Sequence, residues 1–188
     1  LRKLSCRFLY SWDYTSNCIQ FPNLDFLTQL ESLKVAYRGK ALHKVQSCKF
    51  SFPANVKKLT LSGFCLPWTE ISSIGNLPNL QVLKLLDDAF EGTTWDMNEG
   101  EFRNLSFLKL ERLQLLHWNA FEDHLPSLKT VVLVNCKKLV EIPPCLGDIP
   151  TLQSVELRGC SHSCRCSLGV IKERQIEMGN EELAVTLG

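Results

Sequence analysis

Apolar residues recur along the chain in a short motif whose first, fourth and sixth positions are apolar. The clearest copies are Leu80-x-x-Leu83-x-Leu85, Leu105-x-x-Leu108-x-Leu110, Leu128-x-x-Val131-x-Leu133 and Leu152-x-x-Val155-x-Leu157, and earlier copies begin at Leu1, Leu30 and Val56. Alternation of apolar and polar residues predicts a strand with one face in the core and the other in solvent. The pattern therefore predicts about seven short strands.

The spacing of the motifs indicates how the strands are arranged. Successive copies start 29, 26, 24, 25, 23 and 24 residues apart. A period of about 20 to 29 residues carrying L-x-x-L-x-L is typical of leucine-rich repeats, in which each repeat supplies one strand and a looser return segment. We predict an α/β solenoid, a partial horseshoe with a parallel concave sheet and an irregular or short-helical convex side.

The motif stops after Leu157, and this divides the chain. We predict about seven repeats over residues 1–160 and a C-terminal cap or tail over residues 161–188. In the cap, a weak apolar stripe indicates a helix and a short run indicates a last strand; these are Leu168, Ile171 and Ile176, and Glu182–Leu187. Because the first motif begins at Leu1 without an initiator methionine, we expect the chain to be part of a longer protein.

Composition favours an intracellular binding domain. The 188 residues are 45% hydrophobic and 22% charged with a net charge of +1, so the whole chain has no bias toward nucleic acid or membrane. It contains no apolar run long enough to span a bilayer. Nine cysteines are an odd number without dense pairing, which favours reduced thiols. We expect the chain in the cytoplasm or the nucleus.

Several cysteines lie at positions that suggest either structure or metal binding. Cys136 and Cys160 occupy the ninth position of their repeats, where leucine-rich repeats place Asn or Cys against the backbone. Cys160, His162, Cys164 and Cys166 offer four ligands within seven residues. Structural zinc sites usually take a second pair of ligands from elsewhere in the chain rather than all four from one short strand-like segment, so we predict free thiols rather than zinc. A disulfide or redox role is the remaining alternative.

Residues 50–188 resemble the leucine-rich repeat region of plant intracellular immune receptors, and in particular the late blight resistance proteins of the nightshade type. Residues 1–49 fit this family less well. The motifs that carry the resemblance include Leu66-Pro67-Trp68, Ile74-Gly75-x-Leu77-Pro78-Asn79-Leu80, Ala89-Phe90-Glu91-Gly92, Trp95-x-Met97-x-Glu99-Gly100-Glu101-Phe102 and Ile142-Pro143-x-Cys145-Leu146-Gly147-Asp148-Ile149-Pro150. The resemblance implies a recognition and autoinhibitory domain in pathogen defence, with ADP or ATP bound only in an upstream domain.

The chain itself lacks a recognisable catalytic or cofactor site. A phosphate-binding loop needs G-x-x-x-x-G-K-[ST], but Gly39-Lys40 is followed by Ala41, and Lys34 stands at the position of the first glycine. The zinc helix motif H-E-x-x-H is also missing from the sequence. We therefore predict no catalytic, cofactor-binding or metal-binding residues, and no enzyme activity.

The repeat register identifies the residues that face the concave side, at positions three, five, seven and eight. These positions hold eight basic and three acidic residues, so the concave face carries +5 although the whole chain carries +1. The acidic residues are Asp87, Glu111 and Glu156, and the basic ones are Lys3, Arg7, Lys34, Lys58, Lys84, Lys109, Arg112 and Arg158. Tyr37 and Phe107 add aromatic side chains. We predict that Lys34, Tyr37, Lys58, Lys84, Phe107, Lys109, Arg112 and Arg158 bind a partner.

A basic face favours a protein partner with an acidic surface, which includes the upstream domains of the same receptor. The alternative is that these lysines are only solvated, and the modest charge does not favour nucleic acid. Trp95 lies in an acidic stretch between strands, where it either packs on the repeat flank or contacts another domain at the edge. A different function remains open, that of a substrate-receptor or scaffold domain in a ubiquitin ligase or signalling complex.

Overall fold

The computed structural model describes residues 1–9, 24, 26–38 and 51–188. This part of the chain contains twelve strands: β1 Lys3–Leu9, β2 Ser32–Arg38, β3 Lys58–Ser62, β4 Leu66–Pro67, β5 Val82–Leu86, β6 Phe90–Glu91, β7 Thr94–Asp96, β8 Phe107–Glu111, β9 His117–Asn119, β10 Thr130–Val134, β11 Ser154–Arg158 and β12 Ala184–Leu187. Eight of them form one parallel sheet in the order β1, β2, β3, β5, β8, β10, β11, β12. β4 pairs with β6 and β7 with β9 in two small sheets.

The main sheet is in register with the sequence motif, because each motif residue pairs with its equivalent in the next strand. Leu59 pairs with Leu83, Leu83 with Leu108, and Leu108 with Val131, and all four side chains are fully buried. This confirms the prediction of parallel strands whose fourth and sixth motif positions face the core. The seven motifs supply seven strands of this sheet, and the predicted last strand within Glu182–Leu187 is present as β12, so the sheet has eight strands rather than about seven.

The rest of the described chain holds short helical segments and one longer helix. Single 3₁₀ turns span Trp68–Ile71, Glu122–His124 and Pro144–Asp148, α1 spans Ser72–Gly75, and α2 spans His162–Glu177. This agrees with a short-helical return side. No helix of the described residues is long and apolar enough to cross a membrane.

Helix α2 follows the last repeat motif and packs on the preceding turn. Its buried face contains Leu168 and Ile171 as predicted, but Ile176 is 46% exposed and Gln175 is buried instead. The Gln175 side-chain amide donates to the carbonyl oxygens of Gly147 at 2.8 Å and Ile149 at 2.9 Å, so its polar group is satisfied inside the core. The stripe prediction was therefore wrong at Ile176. The division at residue 161 stays a prediction.

A ladder of polar side chains precedes the strands. The residue before each of the last five motifs donates a hydrogen bond from its side chain to a carbonyl oxygen one repeat earlier. The bonds are Asn55 to Thr28 at 2.5 Å, Asn79 to Ala54 at 3.0 Å, Asn104 to Pro78 at 2.8 Å, Ser127 to Arg103 at 2.8 Å and Thr151 to Pro126 at 3.3 Å. Each such bond contributes about 1 kcal/mol and holds one repeat against the next.

Trp95 lies in the centre of a buried aromatic stack on the return side of the main sheet. Its ring stacks on Trp68 at 5.0 Å and on Trp118 at 5.5 Å, and it meets the edge of Phe102 at 6.0 Å. The side chain is 0% exposed. This agrees with the alternative that Trp95 packs on the repeat flank; the predicted edge contact with another domain is wrong, because pairing of β7 with β9 places Trp95 against Trp118 in the core.

Candidate functional site

Three rows of side chains cross the face of the main sheet that points away from the core, and we call this surface the open face. The first row, at motif position three, contains Lys3, Ser32, Lys58, Val82, Phe107, Thr130 and Ser154. The second row, at position five, contains Ser5, Lys34, Thr60, Lys84, Lys109, Val132 and Glu156. The third row, at position seven, contains Arg7, Ala36, Ser62, Leu86, Glu111, Val134 and Arg158.

In the last five motifs, the backbone at position eight turns out of the strand in a left-handed conformation. Its φ is +76° at Gly63, +51° at Asp87, +52° at Arg112, +53° at Asn135 and +60° at Gly159. In each case the N–H donates to a carbonyl oxygen at or just after the end of the next strand, which adds one backbone hydrogen bond to the pairing of the two strands. Glycine and asparagine adopt this conformation readily and arginine does not, so Arg112 is the unfavourable residue of the set.

Three basic residues at the predicted concave positions are neutralised by acidic residues at concave positions; two of them lie on the open face, and Arg112 lies beside it at position eight. Lys109 Nζ lies 2.6 Å from a carboxylate oxygen of Glu111, and Arg158 Nε lies 2.6 Å from Glu156. Arg112 contacts Glu111 and donates from Nε to Asp87 at 2.6 Å. The hydrogen bond to Asp87 raises the pKa of Arg112, so the guanidinium stays charged. This part of the face therefore has no net charge.

The other five basic residues account for the entire excess of charge. They are Lys3, Arg7, Lys34, Lys58 and Lys84, and within residues 1–9, 24, 26–38 and 51–188 none of them has an acidic partner within salt-bridge distance. All five lie on the first four strands of the sheet. The predicted charge of +5 is thus not spread over the face but concentrated on β1, β2, β3 and β5.

Lys84 and Phe107 form a contact between the charged and the neutral parts of the face. Lys84 Nζ lies 5.4 Å from the centre of the Phe107 ring on the adjacent strand, a distance typical of cation–π attraction. Tyr37 lies half-buried at position eight of its repeat, with its ring 6.1 Å from buried Phe64. The structure therefore joins Lys84 and Phe107 in one unit and holds Tyr37 down toward the core.

An apolar patch lies beside the unpaired lysines. Val82, Leu86 and Val134 are half-buried, and Val132 is only 9% exposed although its position on the strand points away from the core. With Phe107 they surround the neutral Lys109–Glu111 pair. The sequence prediction missed these four residues because it considered only charge and aromatic rings. The sequence does contain a sign of this patch, because these apolar residues occupy motif positions that normally hold polar side chains facing solvent.

The cysteines at the end of the sheet have structural partners. Within the described residues, the seven cysteines form no disulfide; Cys18 and Cys48 lie outside that part. The Cys136 thiol donates to the Leu110 carbonyl oxygen at 3.5 Å, and the Cys160 thiol donates to Leu133 at 3.5 Å. Burial raises the pKa of Cys136 to about 12 and also raises the pKa of Cys160. Such thiols stay protonated at neutral pH.

Three of the four potential zinc ligands, at 162, 164 and 166, lie in helix α2, so the strand-like geometry predicted for this segment was wrong. Ser161 caps α2 by accepting a hydrogen bond from the Cys164 N–H at 3.2 Å. Cys164 is buried and donates to the Leu139 carbonyl oxygen at 3.2 Å, whereas Cys166 is exposed with its sulfur 3.5 Å from His162 Nε2. The described residues contain no group of three or more side chains arranged to hold a metal ion.

The chain is similar over most of its length to curated plant proteins. Two late blight resistance protein homologs of Solanum demissum are each 38% identical to it over 179 residues. A third, homolog R1B-13 of the same species, is 37% identical over 183 residues. Each match covers 94% of this chain but only 13 to 15% of the relative, so the chain spans about a seventh of the length of these relatives. No protein-family model matches the chain.

Proposed function

Since the chain is related over 94% of its length to late blight resistance protein homologs, we propose that it forms part of the leucine-rich repeat region of a plant disease-resistance receptor. In this proposal the open face of the main sheet is the concave surface of the repeats and binds a protein. The relatives' names favour disease resistance over the ubiquitin-ligase alternative. The proposal places the segment in the cytoplasm or the nucleus, and it assigns any ADP or ATP to an upstream domain.

Two structural features support the repeat architecture. Strands one repeat apart pair in parallel at equivalent motif positions, and the polar ladder from Asn55 to Thr151 connects each repeat to the one before it. In repeat proteins, each unit buries its faces against its neighbours, and binding uses the extended surface that the repeats share.

The observation that carries the binding proposal is the concentration, beside an apolar patch, of five basic residues that have no acidic partner within the part of the chain that the structure describes. Positive potential on one surface steers an acidic partner and selects against basic ones. Apolar side chains half-exposed next to it supply the area that a partner buries. The partner is an acidic surface of a pathogen protein, a host protein or the receptor's own upstream domains. Binding the last of these would hold the receptor inactive.

Charge reversal on the open face tests this function in the full receptor. Lys34→Glu with Lys84→Glu changes two exposed or half-buried side chains that have no acidic partner among the described residues, so the fold should stay intact. Lys138→Glu with Lys172→Glu is the matched control, with the same change in charge at exposed positions off the open face. The measurement is the defence response with and without the pathogen.

We expect the open-face variant to lose recognition or to become active without the pathogen, while the control behaves as wild type. Loss of recognition would indicate an external partner, and constant activity would indicate that an autoinhibitory contact is broken. A wild-type response from the open-face variant at normal protein levels would contradict the proposed function.

A further inference from the structure

Two rows of the open face carry the same order of side chains at intervals of two strands. The second row has Lys34 on β2, Lys84 on β5 and Val132 on β10, with one strand between each pair. The first row, one strand earlier, has Lys3 on β1, Lys58 on β3 and Phe107 on β8. Both rows therefore place two basic side chains and then an apolar one in a line across the strands.

The interval between these side chains is set by the sheet. Neighbouring strands lie about 4.8 Å apart, so residues two strands apart in one row are separated by about 9.6 Å. A polyproline II segment rises about 3.1 Å per residue with three residues per turn. Its residues i, i+3 and i+6 therefore lie on one side at intervals of about 9.3 Å, which matches the row. A β-strand would alternate these residues between opposite sides.

We propose that the open face binds a polyproline II segment with acidic residues at i and i+3 and an apolar residue at i+6. This inference rests on the proposed function and specifies the partner of the same surface. In the second row, the acidic side chains meet Lys34 and Lys84, and the apolar side chain meets Val132. A third acidic side chain further along the segment would be disfavoured, because Glu156 follows Val132 in the same row and would repel it.

The neighbouring contacts favour a peptide over a single-stranded nucleic acid. Base stacking needs an open aromatic face, but Lys84 Nζ already lies over the Phe107 ring and Tyr37 packs toward Phe64. The apolar patch at Val82, Leu86 and Val132 gives no partner to a phosphate. A carboxylate followed by an apolar side chain satisfies both kinds of surface.

Binding of synthetic peptides to the full 188-residue chain tests the proposal by fluorescence polarisation. The probe contains Glu-Pro-Pro-Glu-Pro-Pro-Leu, in which the prolines favour polyproline II. The control contains Glu-Pro-Pro-Leu-Pro-Pro-Glu, with the same composition and charge but with the apolar residue moved between the acids. We expect the probe to bind about tenfold more tightly than the control, and its affinity to fall with rising salt.

Substitutions locate the site on the rows. Lys34→Ala with Lys84→Ala should weaken the probe about tenfold, since two exposed ion pairs are lost. Val132→Thr, which keeps the shape of the side chain, should weaken it about threefold to fivefold by removing apolar contact. Lys138→Ala, off the open face, should leave binding unchanged. Circular dichroism of each variant identifies any that fail to fold. Because Val132→Thr changes the side chain so little, we expect it to fold, and it therefore still measures the contribution of the apolar contact.

Three results would each overturn this inference. They are equal affinity for the two peptides, equal losses of affinity for the open-face variants and the Lys138 variant, and tighter binding of a thymidine nonamer than of the probe. The result is independent of the receptor test. If charge reversal abolishes recognition while both peptides bind alike, the proposed function stands and the motif fails. If the probe binds selectively while the receptor variant responds as wild type, the motif stands and the proposed function fails.

Discussion

Replacement of Trp95 by alanine tests the buried aromatic stack, and with it the arrangement of the return side. The Trp95 ring lies between Trp68 and Trp118 and is fully buried. A buried tryptophan removes up to about 250 Å² from water, which corresponds to about 6 kcal/mol at about 25 cal/mol per Å². A compact unfolded state reduces this figure by about a quarter.

The indole N–H of Trp95 offsets part of the loss. Its nitrogen is buried and has no hydrogen-bond partner among the described residues, whereas Trp118 Nε1 donates to the Met97 sulfur at 3.3 Å. An unsatisfied buried donor costs about 1 to 3 kcal/mol, and the substitution removes that cost. We expect Trp95→Ala to lower the free energy of unfolding by about 3 kcal/mol, and Trp95→Phe to lower it by less than about 1 kcal/mol.

Urea unfolding followed by far-ultraviolet circular dichroism measures these changes without depending on tryptophan fluorescence. Phe121→Ala is the control, because this aromatic ring is 71% exposed and its removal should change stability by less than about 0.5 kcal/mol. A loss below about 1 kcal/mol for Trp95→Ala, or an equal loss for Phe121→Ala, would refute the placement of Trp95 in the core.

Three further changes test other parts of the fold. Asn104→Ala removes the bond to the Pro78 carbonyl oxygen and should lower the free energy of unfolding by about 1 kcal/mol in the same urea assay; no loss would contradict the ladder. Arg112→Gly removes the strain of a left-handed φ that costs arginine about 1 kcal/mol or more, and it breaks exposed ion pairs that contribute less than that. Thermal unfolding should therefore show equal or higher stability, most clearly at high salt. A large loss of stability would contradict this. For Cys136, the folded pKa of about 12 exceeds the ordinary value of 9.0, so its stabilising contribution is complete below about pH 9 and is lost as the pH rises toward 12. The stability advantage of wild type over Cys136→Ala should therefore fall above pH 9 by up to about 1.4 kcal/mol per pH unit, and an unchanged difference would rule out the raised pKa.

The main sheet was predictable because burial forces its register. Leu83 and Leu108 must face the core, and a shift of one residue would turn every apolar side chain of a strand into solvent. The same logic placed Lys34 and Lys84 on the opposite face. Rows of side chains, and hence the surface, follow directly from the spacing of the motifs.

The distribution of charge on the open face was not predictable from spacing alone. Arg112 pairs with Asp87 of the preceding repeat and with its own neighbour Glu111, and such contacts depend on side-chain conformations that a sequence pattern does not contain. Counting residues gave the correct total of +5 but treated paired and unpaired side chains alike. The structure separates a neutral half from a charged half.

Two local predictions failed for a different reason. Trp95 stands in an acidic stretch that left both packing on the repeat flank and an edge contact possible, and pairing of β7 with β9 places it in the core, where no edge contact can form. The segment after Cys160 has only a weak apolar stripe, which indicated a helix around Leu168 and Ile171 but did not show that the helix begins at His162. The apolar stripe is weak because a polar side chain, Gln175, fills a core position of the helix, where its amide donates hydrogen bonds to the carbonyl oxygens of Gly147 and Ile149.

Lysine footprinting of the receptor in plant tissue, compared with the isolated chain, tests most directly whether the open face binds a protein. Lys57 and Lys58 are neighbours in sequence, but only Lys58 lies on the open face, while Lys57 pairs with Glu31 just before β3 begins. If the open face is covered, Lys34, Lys58 and Lys84 should lose reactivity relative to Lys57 and Lys172. If each of the five lysines reacted to the same extent in the receptor as in the isolated chain, the proposed function would be contradicted.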